Sequence, residues 1–238
     1  MTILGHLEQH PGIDPPDFTA TVTDVSDESI EVDRTCFYPM GGGQPADRGT
    51  VSKPGFECHV TKVIKKDTVT HHIDDVEGVL NVGDEIECSI DRIWRNQLST
   101  MHTAQHLMSA LAHEEWGADT VGNQIGNERT RIDLKFDDRD AFDAGHLQEM
   151  VNDAIQKDHP VHMDFRPSKE LMDDPLVRVN LDRMPPNIDV WRTISIGDID
   201  VCPCAGTHVP NTGVISPVKI SRVKSKGAGR LRVEYVFE

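Results

Sequence analysis

The sequence predicts an α+β protein in two parts: a small β-barrel-like domain over residues 1–91, then an α+β domain with an antiparallel sheet over residues 92–238. Three observations predict it. Before Asp91 the chain is a series of short runs rich in Val, Ile and Thr, separated by turn residues, with no helical period. At Asp91 apolar residues begin to recur at helical spacing. Beyond residue 130, strand-like and helix-like stretches follow one another.

In order, FTATVTDV, SIEVD, GTVSK, HVTKVIKK, TVTHHI and EIECSI are the expected strands, punctuated by DES, KPG and VGD. Many short strands without a helix suit a small barrel. The glycine-rich segment FYPMGGGQPADRG, Phe37 to Gly49, interrupts them as a long loop. Trp94, Leu98, Met101, Ala104, Met108 and Leu111 then mark a helix, with Asp91 as its N-cap and Gly117 as its stop. A strand over Arg131 to Phe136 follows, and a helix carrying Leu147, Met150, Val151, Ala154 and Ile155. A short strand at Val161 to Phe165, a helical turn at Ser168 to Met172 and two strands in VWRTISIGDIDV come next. The chain closes on a hairpin turning at Lys226 to Gly229.

No apolar run approaches the roughly 20 residues of a membrane span. The N-terminus lacks the basic and apolar segments of a secretory signal. Five cysteines, Cys36, Cys58, Cys88, Cys202 and Cys204, then point to reduced thiols in the cytoplasm. The net charge of −16 taken alone argues against a nucleic-acid partner and fits a solvated surface suited to a salty cytoplasm. The charge is uneven, however. From Ser216 to Glu238 six basic residues, Lys219, Arg222, Lys224, Lys226, Arg230 and Arg232, stand against two acidic ones. A basic patch survives where the rest of the surface repels polyanions.

Within TMHTAQHL, His102 and His106 lie four residues apart on the expected helix, so they share a face and their imidazoles can reach one zinc ion. The zinc-protease motif needs a glutamate directly after the first histidine, and Thr103 stands there instead. The complementary half is Cys202-Pro-Cys204-Ala-Gly-Thr-His208, where Cys204 and His208 supply a thiolate and an imidazole from one loop. Cys202 is an alternative thiolate. Four ligands would close a tetrahedral, structural site, whereas a catalytic zinc keeps one position open, most easily by releasing His208.

FYPMGGGQPADRG, STMHTAQHLMSAL, CPCAGTHVPNTGVI and KSKGAGRLRVEY, in this order, resemble the editing region of alanyl-tRNA synthetases. They are most similar to its free-standing relatives, the AlaX alanyl-tRNA editing proteins, in their medium-length form. The resemblance runs from about residue 18 to the C-terminus and implies the editing-domain fold shared by threonyl- and alanyl-tRNA synthetases. It implies zinc on His102, His106, Cys204 and His208, and zinc-dependent hydrolysis of the ester joining serine or glycine to tRNA(Ala). Cys-Ala-Gly-Thr-His stands where the family commonly has Cys-Gly-Gly-Thr-His, a change that keeps the ligands. A threonine ahead of the first strand of the editing domain recognises substrate in some relatives, and Thr120 is the match. Gln105, inside the His-x₃-His step, is a second candidate in the catalytic pocket.

For the tRNA, Lys224, Lys226, Arg230 and Arg232 around the glycine turn suit a phosphate backbone. Gly42, Gly43 and Gln44 form a backbone-permissive loop, either near the tRNA end or as a tight turn of the barrel. The Gly-Gly-Gln tripeptide also occurs in peptide release factors, but here it sits in the editing-family context. Two other functions remain open at this point: a tRNA-binding module with a purely structural zinc, and a deacylase of another aminoacyl-tRNA.

Overall fold

The computed structural model describes residues 2–177 and 188–238. Contacts divide the chain into two compact units, one of residues 1–9 and 13–97, the other of residues 10–12 and 98–238.

In the first unit, β2 (Phe18–Val25), β3 (Ser29–Val32), β5 (Gly49–Lys53), β6 (Phe56–Lys65), β7 (Val69–Gly78) and β8 (Glu85–Ile90) form a closed barrel in the order β2-β3-β7-β6-β5-β8. All its pairings are antiparallel. Inward residues alternate with exposed ones, as in Ile86, Cys88 and Ile90 of β8. The interior is filled by Val22, Ile30, Phe37, Val51, Val60 and Val63, with Cys58 and Cys88 both in register with Val51. A short β1 (Ile3–Leu4) runs parallel to β4 (Arg34–Thr35).

Two polar devices are buried in this unit. The first is an ion pair. Arg95 donates Nε to both oxygens of Asp47 at 2.8 and 3.0 Å and Nη2 to the Cys36 carbonyl at 3.0 Å. The side chains are 7% and 0% exposed, and Asp47 also accepts the Tyr38 N–H at 2.6 Å. Beside it, Trp94 Nε1 donates to the Ala46 carbonyl at 2.9 Å and the Arg48 guanidinium lies 3.8 Å from the centre of the Trp94 ring. The glycine-rich segment is therefore a pinned loop.

The second device is His71, whose Nε2 lies 2.9 Å from Thr35 Oγ1 and whose ring stacks edge-on against Phe37. Burial pushes its pKa down to about 4, against an opposing hydrogen bond to the Ile30 backbone. Because the folded value lies below the unfolded one, the unfolded chain takes up the proton first. Stability is then lost as pH falls from about 6.5 to about 4, by about 3 kcal/mol in total. Urea unfolding at pH 7 and pH 4.5 should show this loss, and His71→Gln should flatten it. An equal pH slope in the variant would refute the assignment.

In the second unit, β9 (Asp119–Gln124), β10 (Thr130–Lys135), β14 (Val218–Gly227) and β15 (Arg230–Phe237) form an antiparallel sheet in the order β14-β15-β10-β9. The β14–β15 turn has Gly227, Ala228 and Gly229 all at positive φ, 72°, 47° and 69°. A second antiparallel sheet is β11 (Val161–Pro167), β12 (Val190–Ile196) and β13 (Asp200–Pro203), in that order. The short helix α3 is Ser168–Met172. Helix α2 (Ala144–Gln156) starts at Asp143, whose side chain accepts the His146 N–H, and it packs on the edge strand β14. Asn152 pairs with both backbone groups of Val218 at 2.8 and 3.0 Å, and Gln148 accepts the Ile220 N–H at 2.8 Å. The α+β class with an N-terminal barrel is as the sequence predicts. Strand β9 is additional, and Thr120 lies within it rather than ahead of the first strand.

Candidate active site

Helix α1 (Arg92–Trp116) carries the first half of the site. Asp91 caps it by accepting the Trp94 N–H at 3.0 Å, and Gly117, at φ 63°, ends it with its N–H on the His113 carbonyl. Residues 101–112 are all buried. Polar side chains on such a stretch need partners. His102, Thr103, Gln105, His106 and Ser109 each have one.

The second half is the loop after β13. Arg192 donates Nη1 to the carbonyls of Cys204 at 2.5 Å and Gly206 at 3.1 Å, and its own carbonyl accepts the Cys204 N–H at 3.1 Å. Ser99 on α1 donates to Thr207 at 2.8 Å, and the Gly12 N–H reaches the His208 carbonyl at 3.0 Å. A Cβ on Gly12 would sit 2.4 Å from the Pro210 ring, so the loop is held from both sides by close packing.

These elements bring His102, His106, Cys204 and His208 together, one donor atom from each lying within 4.8 Å of the others. Cys204 Sγ is 3.6 Å from His102 Nε2 and 3.4 Å from His208 Nε2. Cys202 is outside this group; its Sγ lies 3.6 Å from the Pro203 carbonyl.

Hydrogen bonds fix which ring nitrogens face inward. The Asp200 carboxylate can only accept, so His106 donates Nδ1–H to it at 2.8 Å and keeps a lone pair on Nε2. Thr103 gives its one proton to the Ser99 carbonyl at 2.9 Å, so at 3.0 Å it must accept from His208 Nδ1–H, again leaving Nε2 bare. Burial lowers the pKa of His102, and it lowers His208 to about 3. Burial alone would raise the Cys204 thiol, but His102, whose Nε2 lies 3.6 Å from Sγ, outweighs it and holds the thiol well below its ordinary value. The cluster thus offers one sulfur and three imidazole nitrogens to a common point, and it could hold a metal ion.

Asp200 and Thr103 are not evident from the sequence as supports of the two histidines. Their removal should lower the affinity of the cluster for a divalent ion. Asp200→Asn should weaken metal binding about 10- to 100-fold, measured by competition with a chromogenic chelator. Unchanged affinity would show that Asp200 does not set His106.

Gln105 is buried and donates Nε2 to Ser109 Oγ at 2.7 Å, while its Oε1 accepts from Asn123 Nδ2 at 3.4 Å. Thr120 is exposed on β9 and donates to the same Ser109 oxygen at 2.8 Å. On the hairpin, Lys224, Lys226 and Arg230 are exposed. Arg232 is instead engaged by Asp133 through two hydrogen bonds of 2.7 and 2.8 Å. The Gly41–Gln44 segment is a tight turn closed by reciprocal backbone bonds of 2.8 and 3.2 Å, with Gly42 and Gly43 exposed at positive φ. The Gln44 side chain is buried, which leaves the glycine backbone and Met40 to face outward.

A barrel followed by an α+β unit that joins a His-x₃-His helix to a Cys-x₃-His loop defines the class of tRNA-synthetase-associated editing modules. Profile comparison agrees: the family described as threonyl and alanyl tRNA synthetase second additional domain matches residues 191–234, and tRNA synthetases class II (A) matches residues 13–94. The chain is 33% identical over 228 residues to the alanyl-tRNA editing protein AlaX-M of Saccharolobus solfataricus, covering 93% of this chain and 94% of that one. It is 34% identical over 231 residues to AlaX-M of Methanosarcina barkeri, with the same shares covered. With AlaX-L of Pyrococcus horikoshii it shares 32% identity over 225 residues, 91% of this chain but 54% of the longer relative. The chain belongs to the AlaX family, in its medium-length form. Among the described residues, no helix is long and apolar enough to cross a membrane.

Proposed function

We propose that the chain is a trans-acting cytoplasmic editing hydrolase that deacylates mischarged tRNA(Ala). Seryl-tRNA(Ala) is its first substrate and glycyl-tRNA(Ala) a second. Residues 92–238 would act as the editing domain, and residues 1–91 as an accessory barrel. The observation that carries the proposal is the cluster of three imidazoles and one cysteine sulfur, two of the rings turned by Asp200 and Thr103 so that Nε2 faces inward, in a chain whose relatives of equal length are named alanyl-tRNA editing proteins.

Three imidazole nitrogens and one thiolate are a donor set that zinc favours. His102, His106, Cys204 and His208 would hold the ion, which when bound supplies a water of lowered pKa or a Lewis acid for the ester carbonyl. Asp200 and Thr103 keep two of the imidazoles in the binding tautomer. Aminoacyl esters are reactive, so holding the carbonyl in place contributes much of the acceleration.

Selectivity falls to the polar group beside the donors. A pocket cannot admit serine and refuse the smaller alanine by size. It can offer a hydrogen-bonding group that an alanyl methyl leaves unpaired. Thr120, exposed and backed by Ser109 and Gln105, is that group. Thr120→Val should reduce the seryl over alanyl preference in kcat/KM about tenfold or more, and an unchanged preference would remove Thr120 from this role. Lys224, Lys226 and Arg230 would meet the acceptor-stem phosphates, with Arg232 steadied by Asp133. Gly42 and Gly43, and Gln44 through its backbone, form the second proposed contact.

One observation favours a different role for the metal: four protein donors can close a tetrahedron and leave no open position. In that case the chain is a tRNA-binding module. Single-turnover deacylation of seryl-tRNA(Ala), with and without a chelator, separates the two. The same assay across other charged tRNAs tests a different aminoacyl ester as substrate.

A further inference from the structure

A second polar chain runs along the helix face that carries the metal-type donors. Gln105 and His106 each lie three or four residues from both His102 and Ser109, which places the four on one face of α1. All four are buried. Ser109 Oγ accepts twice, from Gln105 Nε2 at 2.7 Å and from Thr120 Oγ1 at 2.8 Å, so both lone pairs of the hydroxyl are filled. Asn123 Nδ2, at 3.4 Å from Gln105 Oε1, orients the Gln105 amide so that its NH₂ faces Ser109. Thr120 differs from the rest in being exposed. Its single proton goes inward to Ser109, and what it shows to solvent is acceptor capacity alone.

We infer that Ser109 is a positioning residue that makes Thr120 an obligatory acceptor, so that the pocket selects an aminoacyl group carrying a side-chain hydroxyl donor. The inference rests on the editing reading, in which Thr120 faces the aminoacyl side chain. A threonine hydroxyl without this partner rotates and offers a donor or an acceptor as its surroundings ask. With its proton fixed on Ser109 it asks for a donor. A seryl ester supplies one. Alanyl and glycyl esters have no side-chain donor, so Ser109 should bear on the seryl ester alone. A purely structural Ser109 would affect all three esters together.

The test is kcat/KM for seryl-, glycyl- and alanyl-tRNA(Ala) with wild type, Ser109→Ala, Ser109→Thr, Thr120→Val and the Ser109→Ala/Thr120→Val double variant, each checked for zinc content and thermal midpoint. Ser109→Ala should lower the seryl value about five- to tenfold, the worth of one neutral hydrogen bond, and leave the ratio of glycyl to alanyl values within about twofold. Ser109→Thr keeps the hydroxyl and should restore most of the seryl preference. In the Thr120→Val background, Ser109→Ala should change that preference no further, since it acts through Thr120. If Ser109→Ala does not fold, Ser109→Cys, a weak acceptor of similar size, should show the same selective seryl loss. Equal losses on all three esters, an unchanged seryl preference, or additive effects in the double variant would each overturn the assignment. A wild type that cleaves none of the esters overturns the editing reading itself. A wild type that prefers the seryl ester regardless of Ser109 overturns only this inference.

Discussion

Cys204→Ala should purify with little bound zinc and lose about 100-fold or more in seryl-tRNA(Ala) hydrolysis. Sγ lies 3.4 and 3.6 Å from two of the imidazole nitrogens, and cysteine is the one donor of the set that binds a metal as an anion. Its removal leaves three neutral rings, which bind a divalent ion far less tightly at neutral pH. The comparison with His208→Ala is informative. If one position is open during the reaction, His208→Ala should retain more metal than Cys204→Ala. Full activity of metal-free Cys204→Ala would eliminate zinc from the chemistry. Loss of fold together with loss of metal, with no deacylation by wild type, would instead leave a structural ion.

Asp47→Ala should destabilise the barrel unit by about 3–5 kcal/mol, because it strands a buried guanidinium. Arg95 would keep only its bond to the Cys36 carbonyl and its 3.3 Å contact with Gln9, and the Tyr38 amide would lose its acceptor. The effect is read as a lower urea midpoint for the first unfolding transition, since a chain of two units need not unfold in one step. Replacing Asp47 and Arg95 together by apolar residues of similar size should cost much less, as neither charge is then left alone. A single variant no worse than the double would contradict this account. Because the pair pins the Phe37–Gly49 segment, Asp47→Ala should also make the Gly41–Gln44 turn easier to cleave with a protease.

What was legible in the sequence follows a physical division. FTATVTDV, GTVSK and EIECSI became β2, β5 and β8 with the predicted ends, because alternating β-branched residues bounded by turns leave the backbone little choice. Strand β9 was not visible, since Gly122, Asn123 and Gln124 carry weak strand preference and its pairing with β10 decides the matter. The metal-type donors were legible because histidine and cysteine at four-residue spacing are rare enough to signal themselves. Asp200, Thr103 and Ser109 were not. They are common residues whose roles exist only through partners elsewhere, such as His106, which lies 94 positions from Asp200. Charge patterning suggested a uniform basic hairpin, but pairing with β10 puts Arg232 against Asp133. The glycines of the Gly41–Gln44 turn announced a tight backbone, while nothing in the string announced that Gln44 would be buried.

The side chains of Asn152 and Gln148 along β14 have a consequence for solubility. An outer strand with open N–H and C=O groups is a template on which another chain can add a strand and begin an aggregate. Here the Asn152 amide bonds both backbone groups of Val218, as a neighbouring strand would, and Gln148 takes the next available N–H at Ile220. Further along, Arg222, Lys224 and Lys226 are exposed on the strand, and like charges there repel a second copy. Two amides and three cations thus guard the outer edge of β14, and a basic strand can stay exposed there without inviting a second copy to pair with it.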